Sequence, residues 1–334
     1  MFASLRNRFE ISPHRYAQVT TVALIGLALI VFSGAAVRLT DSGLGCPDWP
    51  QCYGAGEHPA LESHAIIEMT NRIITGLLGV AVIAACLLSF FRRPYRKHLA
   101  WIGALLPLGV VAQAILGALV VKYDLRPELV MGHFILSMML LDAGFALFWC
   151  SRYEPWERRR SWDRKGVWAV RGLVPLGQLT ILAGTIATGS GPHAGEFEGQ
   201  FVKRFTFEGH DTLEWVVQRH AVLAAIYGFA AIGVWFYLRR PGGDRRALKP
   251  LTLVLILLAV QGVVGYIQWE LELPPAIVWV HVGLATCNWL AMLWTIAAAG
   301  RLEPRTGTPA TIERGEAPSG EQAASPAGAG AGGA

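Results

Sequence analysis

Long apolar runs recur along this chain and restrict its fold more than any other feature. They lie at 17–37, 67–91, 99–121, 128–150, 171–190, 213–238, 249–268 and 275–299. A helix of about 20 apolar residues crosses the roughly 30 Å hydrocarbon core of a bilayer. Only 16% of the residues are charged, whereas a soluble domain has about 25%. We therefore predict an all-α integral membrane protein with eight transmembrane helices.

The connections between these runs alternate in charge. Arginines and lysines fill the segments 92–97, 152–171 and 239–249, while the connections on the other side carry mostly Asp and Glu. By the positive-inside rule, both termini are expected in the cytoplasm. The net charge of +5 is then explained by the basic loops on the cytoplasmic side, and we expect no nucleic-acid partner. The first run is long enough to remain as a span, so we expect no cleaved signal peptide.

Part of the first half of the chain returns in the second half. Three pairs share one spacing of 148 residues: Gln113 and Gln261, Gly117 and Gly265, and His133 and His281. A constant spacing indicates an internal repeat, and an even number of spans keeps the two repeats parallel. We predict two tandem pseudo-symmetric four-helix bundles. The predicted segments are a cytoplasmic N-terminus at 1–16, a first half at 17–150, a basic cytoplasmic linker at 151–170, a second half at 171–300 and a disordered cytoplasmic tail at 301–334.

Three of the nine histidines lie inside apolar runs: His133, His220 and His281. A polar ionisable side chain in hydrocarbon normally faces the interior of the bundle. One such histidine could simply hydrogen-bond a neighbouring helix, but three at a common depth favour ligation of a metal or haem iron. Copper or zinc would also accept imidazole. Five other histidines are expected to be solvated in loops: His14, His58, His98, His193 and His210.

The repeat places Asn71, on the second span, where another histidine would be expected. Glu68 and His64 precede it by one and two helical turns, so the three form one polar stripe if the helix starts early enough. An intramembrane carboxylate is functional by default; the alternative for Glu68 is a helix-start glutamate favoured by the macrodipole. Arg219 adjoins His220 and either meets a haem propionate or snorkels to the interface.

Cys46 and Cys52 lie close together in the first outer loop. On the oxidising side of a membrane such a pair indicates a disulfide. A metal-binding or redox-active pair is the alternative.

With these motifs in view, the chain resembles the haem A synthase family of cytochrome oxidase assembly. The resemblance rests on VRLTDSGLGCPDWPQC, on EMTNR in the second span, and on GH at 132–133, QRH at 218–220 and VH at 280–281. It covers the chain apart from the tail. It implies a multi-pass protein of the plasma membrane in which each four-helix half surrounds a haem-sized pocket.

The resemblance also implies roles for residues. The second half would hold a haem b cofactor through His220 and His281. The first half would receive haem O, with His133 as an iron ligand, and Glu68 would act where the methyl substituent is oxidised to a formyl group. Cys46 and Cys52 match the outer-loop cysteine pair of the family. Expected partners are haem O and membrane lipid, with a haem O-forming farnesyltransferase, an electron donor and a second copy of the chain left open.

One position departs from the family pattern. The glutamate motif of the family often ends in His-Arg, whereas here it ends in Asn71 and Arg72. Either His133 alone binds the substrate iron and leaves one position open, or His64 supplies a second imidazole. Two other classes of protein compete with the haem A synthase interpretation. One is a di-haem b-type electron-transfer protein that modifies no porphyrin; the other, less favoured, is a transporter with parallel repeats.

Overall fold

Eight long helices follow one another in the part of the chain that the computed structural model describes, residues 10–46, 52, 63–155, 157, 160–195, 202–207 and 211–302. The helices are α1 Pro13–Leu39, α2 Ser63–Phe91, α3 Lys97–Lys122, α4 Pro127–Arg152, α5 Arg164–Ser190, α6 Thr212–Arg239, α7 Leu248–Glu270 and α8 Pro275–Ala299. A 3-10 turn at Arg245–Ala247 precedes α7. Two short strands, β1 Arg160–Ser161 and β2 Arg301–Leu302, pair in parallel.

The lengths of the helices agree with a membrane-spanning role. The shortest, α7, has 23 residues and the longest, α2, has 29. At about 1.5 Å per residue, even α7 exceeds the roughly 30 Å hydrocarbon core. All eight are long and apolar enough to cross a membrane. The prediction of an all-α integral membrane protein with eight spans is confirmed.

The fifth helix begins earlier than its apolar pattern indicates. We expected the span from 171, but α5 starts at Arg164 because the Asp163 side chain accepts a hydrogen bond of 2.9 Å from the Gly166 N–H. Such a cap satisfies one of the unpaired N–H groups at a helix start. The segment between α4 and α5 is therefore 153–163, shorter than the predicted linker at 151–170. At the other end, β2 occupies residues 301–302, and the predicted tail from 303 lies outside the described residues.

Contacts between helices follow the order of the halves. In the first half α1 and α3 each contact α2 and α4, and in the second half α5 and α7 each contact α6 and α8. This pattern is compatible with two tandem four-helix bundles. Between the halves, α8 contacts α1 and α4, and α4 contacts α5.

Two tryptophans of α8 hydrogen-bond to the first half. Trp289 Nε1 donates to Asp142 Oδ1 of α4 at 2.6 Å, well inside both helices. Trp279 Nε1 donates to the Phe32 carbonyl oxygen of α1 at 2.9 Å, and the Phe32 and Trp279 rings meet edge-to-face with 6.2 Å between centroids. The halves are thus joined by directed hydrogen bonds as well as by apolar packing.

We call the end of the bundle that holds residues 92–97, 152–155, 157, 160–164 and 239–247 the basic face. In the first half the fully buried Arg92 pairs with Glu154, which also lies 3.6 Å from Arg96 Nη1. In the second half Asp163 accepts a hydrogen bond from Arg240 at 2.6 Å, and Asp244 accepts one from Ser161 at 2.8 Å. These contacts fasten the connections between helices to one another.

The two aspartates of the basic face are held in their charged form. Burial raises the pKa of Asp163, but hydrogen bonds from Arg240 and from backbone N–H groups lower it by more, so that pKa lies below its usual 3.8. Burial likewise raises the pKa of Asp244, but hydrogen bonds from Arg246 and Ser161 lower it by more, so that this pKa also lies below its usual 3.8. Both carboxylates therefore stabilise the folded chain in their ionised state.

Candidate functional site

Two imidazoles face each other in the second half. His220 of α6 and His281 of α8 have ring centroids 6.3 Å apart. Two metal–nitrogen bonds of about 2 Å, plus roughly 1.2 Å from each nitrogen to its ring centre, give about 6.4 Å for a metal between two imidazoles. The separation therefore fits one metal ion held axially between the two rings.

His220 is oriented by helix α5. Its Nδ1 donates a hydrogen bond of 3.0 Å to the Thr180 carbonyl oxygen. A histidine that ligates a metal usually donates its other ring N–H to such an acceptor, which here leaves Nε2 for the metal. A Cβ at Gly184, one turn after Thr180, would lie 3.0 Å from His220 Cε1. The ring therefore occupies the space that this glycine leaves.

His281 is held more loosely by helix α7. A Cβ at Gly265 would lie 3.2 Å from His281 Cε1. The Gln261 amide nitrogen is 3.4 Å from His281 Nε2. His281 Nδ1 is buried with no hydrogen-bond partner among the described residues. The ring is thus not committed to a strong hydrogen bond and has a nitrogen available for a metal.

His220 and His281 can be compared with the ligand sets that zinc and haem iron require. Within the described ranges, no three His, Cys, Asp or Glu side chains are grouped to hold a metal ion. Tetrahedral zinc sites take three or four protein ligands, whereas a porphyrin supplies four nitrogens and needs only axial ligands from the protein. The residues present therefore fit a haem.

Among the described residues of the first half, one imidazole lies at the matching depth. His133 of α4 packs over α3, where a Cβ at Gly117 would lie 3.5 Å from His133 Cε1. Its counterpart on α2, Asn71, directs its amide oxygen to α1, where it accepts a hydrogen bond of 2.8 Å from Ser33 Oγ. Asn71 also lines a groove of about 220 Å³ between α1 and α2. The two halves therefore differ in their histidine content at this depth.

The polar stripe expected on the second span lies on α2. The helix begins at Ser63, so His64, Glu68 and Asn71 belong to one helix at spacings that share a face. His64 Nδ1 lies 3.1 Å from Ser42 Oγ in the loop after α1. At this position His64 is directed toward the loop, and Ser42 is one of its contacts.

Glu68 is the one acidic residue of α2 and is buried, with 5% of its surface exposed. Arg72 Nη2 donates to Oε1 at 2.5 Å, and the backbone N–H of Cys46 donates to Oε2 at 2.8 Å. Hydrogen bonds to both carboxylate oxygens fix the side chain and compensate for its burial. The site thus contains a positioned carboxylate whose support comes partly from α2 and partly from the outer loop.

The outer loop rests on the start of α2. The Cys46 and Cys52 sulfur atoms are 2.07 Å apart, and both residues are buried together with Ala65 of α2. A Cβ at Gly45 would lie 2.6 Å from the His64 carbonyl carbon. Only glycine allows this close approach without movement of the backbone. The loop therefore brings the Cys46 N–H to Glu68.

Links across this loop face were not predicted from the sequence. Arg38 donates to the His193 carbonyl oxygen at 2.5 Å, and His193 Nε2 donates to the Leu273 carbonyl oxygen at 2.6 Å. The Gly43 N–H donates to the Gly195 carbonyl oxygen at 3.0 Å. His14 and His98 are exposed as expected, but they lie in the first turns of α1 and α3 rather than in loops, and His98 Nε2 is 2.8 Å from Arg96 Nη2. The expectation that His193 is solvated was wrong, since it ties two loops of the second half together.

The remaining residues singled out in the sequence have the following positions. Arg219 stacks on Trp215, with its guanidinium carbon 3.5 Å from the ring centroid, and donates to the Trp215 carbonyl oxygen at 2.9 Å. His58 and His210 lie outside the described residues. Asp142 was passed over in the sequence, although an acid inside an apolar run is a direct signal of a special role.

Comparison with known proteins adds a family to this geometry. A sequence model of the cytochrome oxidase assembly protein family matches residues 17–195. Over 136 residues the chain is 29% identical to "Heme A synthase" of Lysinibacillus sphaericus (strain C3-41), covering 40% of this chain and 44% of that protein. Over 140 residues it is 31% identical to "Heme A synthase" of Bacillus cereus (strain AH187) and of Bacillus anthracis (strain A0248), covering 41% of this chain and 44% of each. The chain thus spans less than half the length of these relatives.

Proposed function

Because this chain belongs to the cytochrome oxidase assembly protein family, we propose that it is a haem A synthase. It oxidises the methyl substituent of haem O to a formyl group and so supplies haem A for cytochrome c oxidase. The observation that carries the proposal is the difference between the halves. One half has a facing histidine pair at 6.3 Å. At the matching depth of the other half, the described residues include His133 but no second histidine, and a buried glutamate, Glu68, lies one helical turn from Asn71.

In this proposal the second half holds a haem b through His220 and His281. Their separation supports joint ligation of one iron atom, which these two residues would hold, and the Thr180 carbonyl oxygen orients the His220 ring. A bound haem b would supply one-electron transfer. Arg219 lies beside His220 in the chain, and its guanidinium, now stacked on Trp215, would meet a propionate after a change of side-chain rotamer.

The first half receives haem O. His133 ligates its iron, and Asn71 leaves the opposite iron position open because its amide oxygen is bonded to Ser33. An asparagine amide is a poor ligand for haem iron, and His64 has Ser42 as a neighbour. The difference from the bis-histidine half suits a substrate site, since the substrate must enter, react and leave.

Glu68 is the proposed catalytic residue. Conversion of a methyl to a formyl group proceeds by two hydroxylations and the loss of water. With dioxygen as the oxidant, each hydroxylation places one oxygen atom on the methyl carbon, reduces the other to water and takes two electrons from the electron donor together with two protons. A fixed carboxyl group beside the reacting edge can relay such protons. Arg72 and the Cys46 N–H hold Glu68 in one orientation, so it would act without rearrangement.

The setting of the enzyme is also part of the proposal. The protein lies in the plasma membrane with both termini in the cytoplasm, because the basic loops share one side. Cys46 and Cys52 then face the oxidising side and form a disulfide. Its partners are haem O, membrane lipid, a haem O-forming farnesyltransferase and an electron donor, with a second copy of the chain as a further candidate.

Porphyrin extraction tests the proposal. The protein is purified from cells with and without a haem O supply, and the retained haems are separated by chromatography. We expect haem B in both preparations and haem O with haem A only with the supply. His220→Ala and His281→Ala should each remove the low-spin b-type spectrum. Haem B alone under both conditions would contradict the proposal and favour the di-haem electron-transfer alternative.

A further inference from the structure

We propose that Gln113 is a positioning residue for His133: its amide oxygen accepts a hydrogen bond from His133 Nδ1 when the other ring nitrogen binds the substrate iron. This inference rests on the proposed function, in which His133 is the iron ligand of the first half. It adds a residue of α3 to the set that controls the substrate haem.

Two complementary polar atoms lie unpaired in the same buried region. Gln113 Oε1 and His133 Nδ1 are both buried, and neither has a hydrogen-bond partner within the described part of the chain. An amide oxygen can only accept, while an imidazole that binds a metal through Nε2 carries its proton on Nδ1 and can only donate there. Pairing the two atoms would satisfy both at once.

Gln113 is already anchored beside His133. Its amide nitrogen donates to the His133 carbonyl oxygen at 3.0 Å and to Ser137 Oγ at 2.6 Å. Ser137 Oγ in turn donates to the same carbonyl oxygen at 3.0 Å. The two atoms of one amide group are within about 2.5 Å of each other, so this anchoring keeps Oε1 next to the His133 turn of α4.

The His133 ring of α4 packs against the same face of α3 that carries Gln113. Its Cε1 would be 3.5 Å from a Cβ at Gly117, and Gly117 follows Gln113 by one helical turn. We infer that a rotation of the ring on this side brings Nδ1 to the amide oxygen. Even a Cβ at Gly117 would be only in ordinary contact with the ring, so the ring is not crowded there.

The second half repeats the arrangement with a difference. Gln261 and Gly265 flank His281 as Gln113 and Gly117 flank His133, and His281 Nδ1 is likewise buried without a partner among the described residues. There the amide nitrogen approaches the ring at 3.4 Å, whereas in the first half it is bonded to the backbone. Gln261→Leu is therefore the matched control, because it changes the same residue type beside the other haem.

The experiment is a redox titration of the two haems in full-length protein loaded with haem O. A hydrogen bond from Nδ1 gives the imidazole more imidazolate character and stabilises ferric iron. Gln113→Leu should raise the midpoint potential of the first-half haem and weaken its retention, by roughly 10- to 100-fold if it behaves like other outer-shell partners. Gln113→Glu keeps an acceptor for Nδ1 but loses the amide donor to the His133 carbonyl oxygen, so it should retain more of that haem than Gln113→Leu. Gln261→Leu should leave the first-half potential unchanged.

The low-spin b-type spectrum of the second half reports whether each variant is folded. An unchanged first-half potential and retention in Gln113→Leu would overturn the role of Gln113, provided that His133→Ala abolishes haem O binding. If His133→Ala leaves the first-half haem unaltered, the ligand assignment in the proposed function fails together with this inference. If Gln113→Leu does not fold, loss of the first-half haem from Gln113→Glu would overturn the inference.

Discussion

The backbone N–H of Cys46 donates a hydrogen bond of 2.8 Å to the Glu68 carboxylate. The outer loop and the buried acid of α2 therefore form one unit. Glu68 lies 22 residues after Cys46 in the chain, and the bond exists because Gly45 packs directly on the His64 backbone. The loop that carries the cysteine pair thus positions the proposed catalytic carboxylate.

Cys52→Ser should weaken the positioning of Glu68, because it removes the bond between Cys52 and Cys46. The Cys46 N–H itself stays in place. A hydrogen bond to a charged group contributes about 1.5–3 kcal/mol, so partial loss should lower conversion of haem O by on the order of tenfold. The ratio of haem A to haem O in extracts measures it. Cys86→Ser, which changes a cysteine of α2 outside the loop, is the control. Equal conversion in Cys52→Ser and the control would show that the bond between Cys46 and Cys52 is not needed to position Glu68.

Gly184→Ala should displace the His220 ring, because the added Cβ would lie 3.0 Å from Cε1. The low-spin b-type absorbance per mole of protein should fall strongly. Gly117→Ala is the matched control in the first half, since its Cβ would be 3.5 Å from His133 Cε1, an ordinary contact. Full low-spin absorbance in both variants, or its loss in Gly117→Ala alone, would contradict the assignment of His220 as a ligand of the second-half haem.

Trp289→Phe should destabilise the junction between the halves. The substitution removes the donor to Asp142 Oδ1 and leaves a carboxylate inside the bundle without that bond, at a cost of about 1.5–3 kcal/mol. Thermal unfolding of detergent-purified protein, followed by circular dichroism, measures the change. Asp142→Asn keeps an acceptor oxygen for the indole N–H and should cost less. A midpoint for Trp289→Phe equal to that of the unmodified protein would exclude a role for this bond.

The basic face should become less stable at acid pH, because Asp163 and Asp244 become protonated there. Their pKa values in the folded protein lie below the usual 3.8 because hydrogen bonds from Arg240 and Arg246 outweigh the effect of burial. The stabilisation is therefore complete above about pH 4 and is lost as the pH falls through the lower, folded-state pKa values. Thermal midpoints between pH 6 and pH 3 should fall less steeply in Asp163→Asn. If the thermal midpoint falls equally steeply with pH in Asp163→Asn and in the unmodified protein, Asp163 does not contribute to the stability of the basic face.

The sequence predicted those features that depend on local pattern. Apolar length located all eight helices, and α8 was expected at 275–299, where it lies. The start of α5 was misplaced because Asp163 caps the helix before the apolar run begins. Constant spacing identified His133 and His281 as a repeated pair, since a duplication is visible in one dimension.

Contacts between distant segments left no such signal. The bond from Ser33 to Asn71 joins two helices, and the bond from Cys46 to Glu68 joins a loop to a helix. Neither follows from periodicity or residue type. Asp142 was recognisable as an acid in an apolar run, but its partner Trp289 lies 147 residues away. Side-chain partners of this kind are determined by packing, and only the folded chain reveals them.

The most direct test of the central claim is the haem content of Glu68→Gln protein produced in a host that supplies haem O. Glutamine preserves the size of the side chain but cannot accept and release a proton as the glutamate carboxylate does. The account predicts that haem O, or a partly oxidised intermediate, accumulates while the b-type spectrum of the second half is retained. Normal output of haem A from this variant would contradict it.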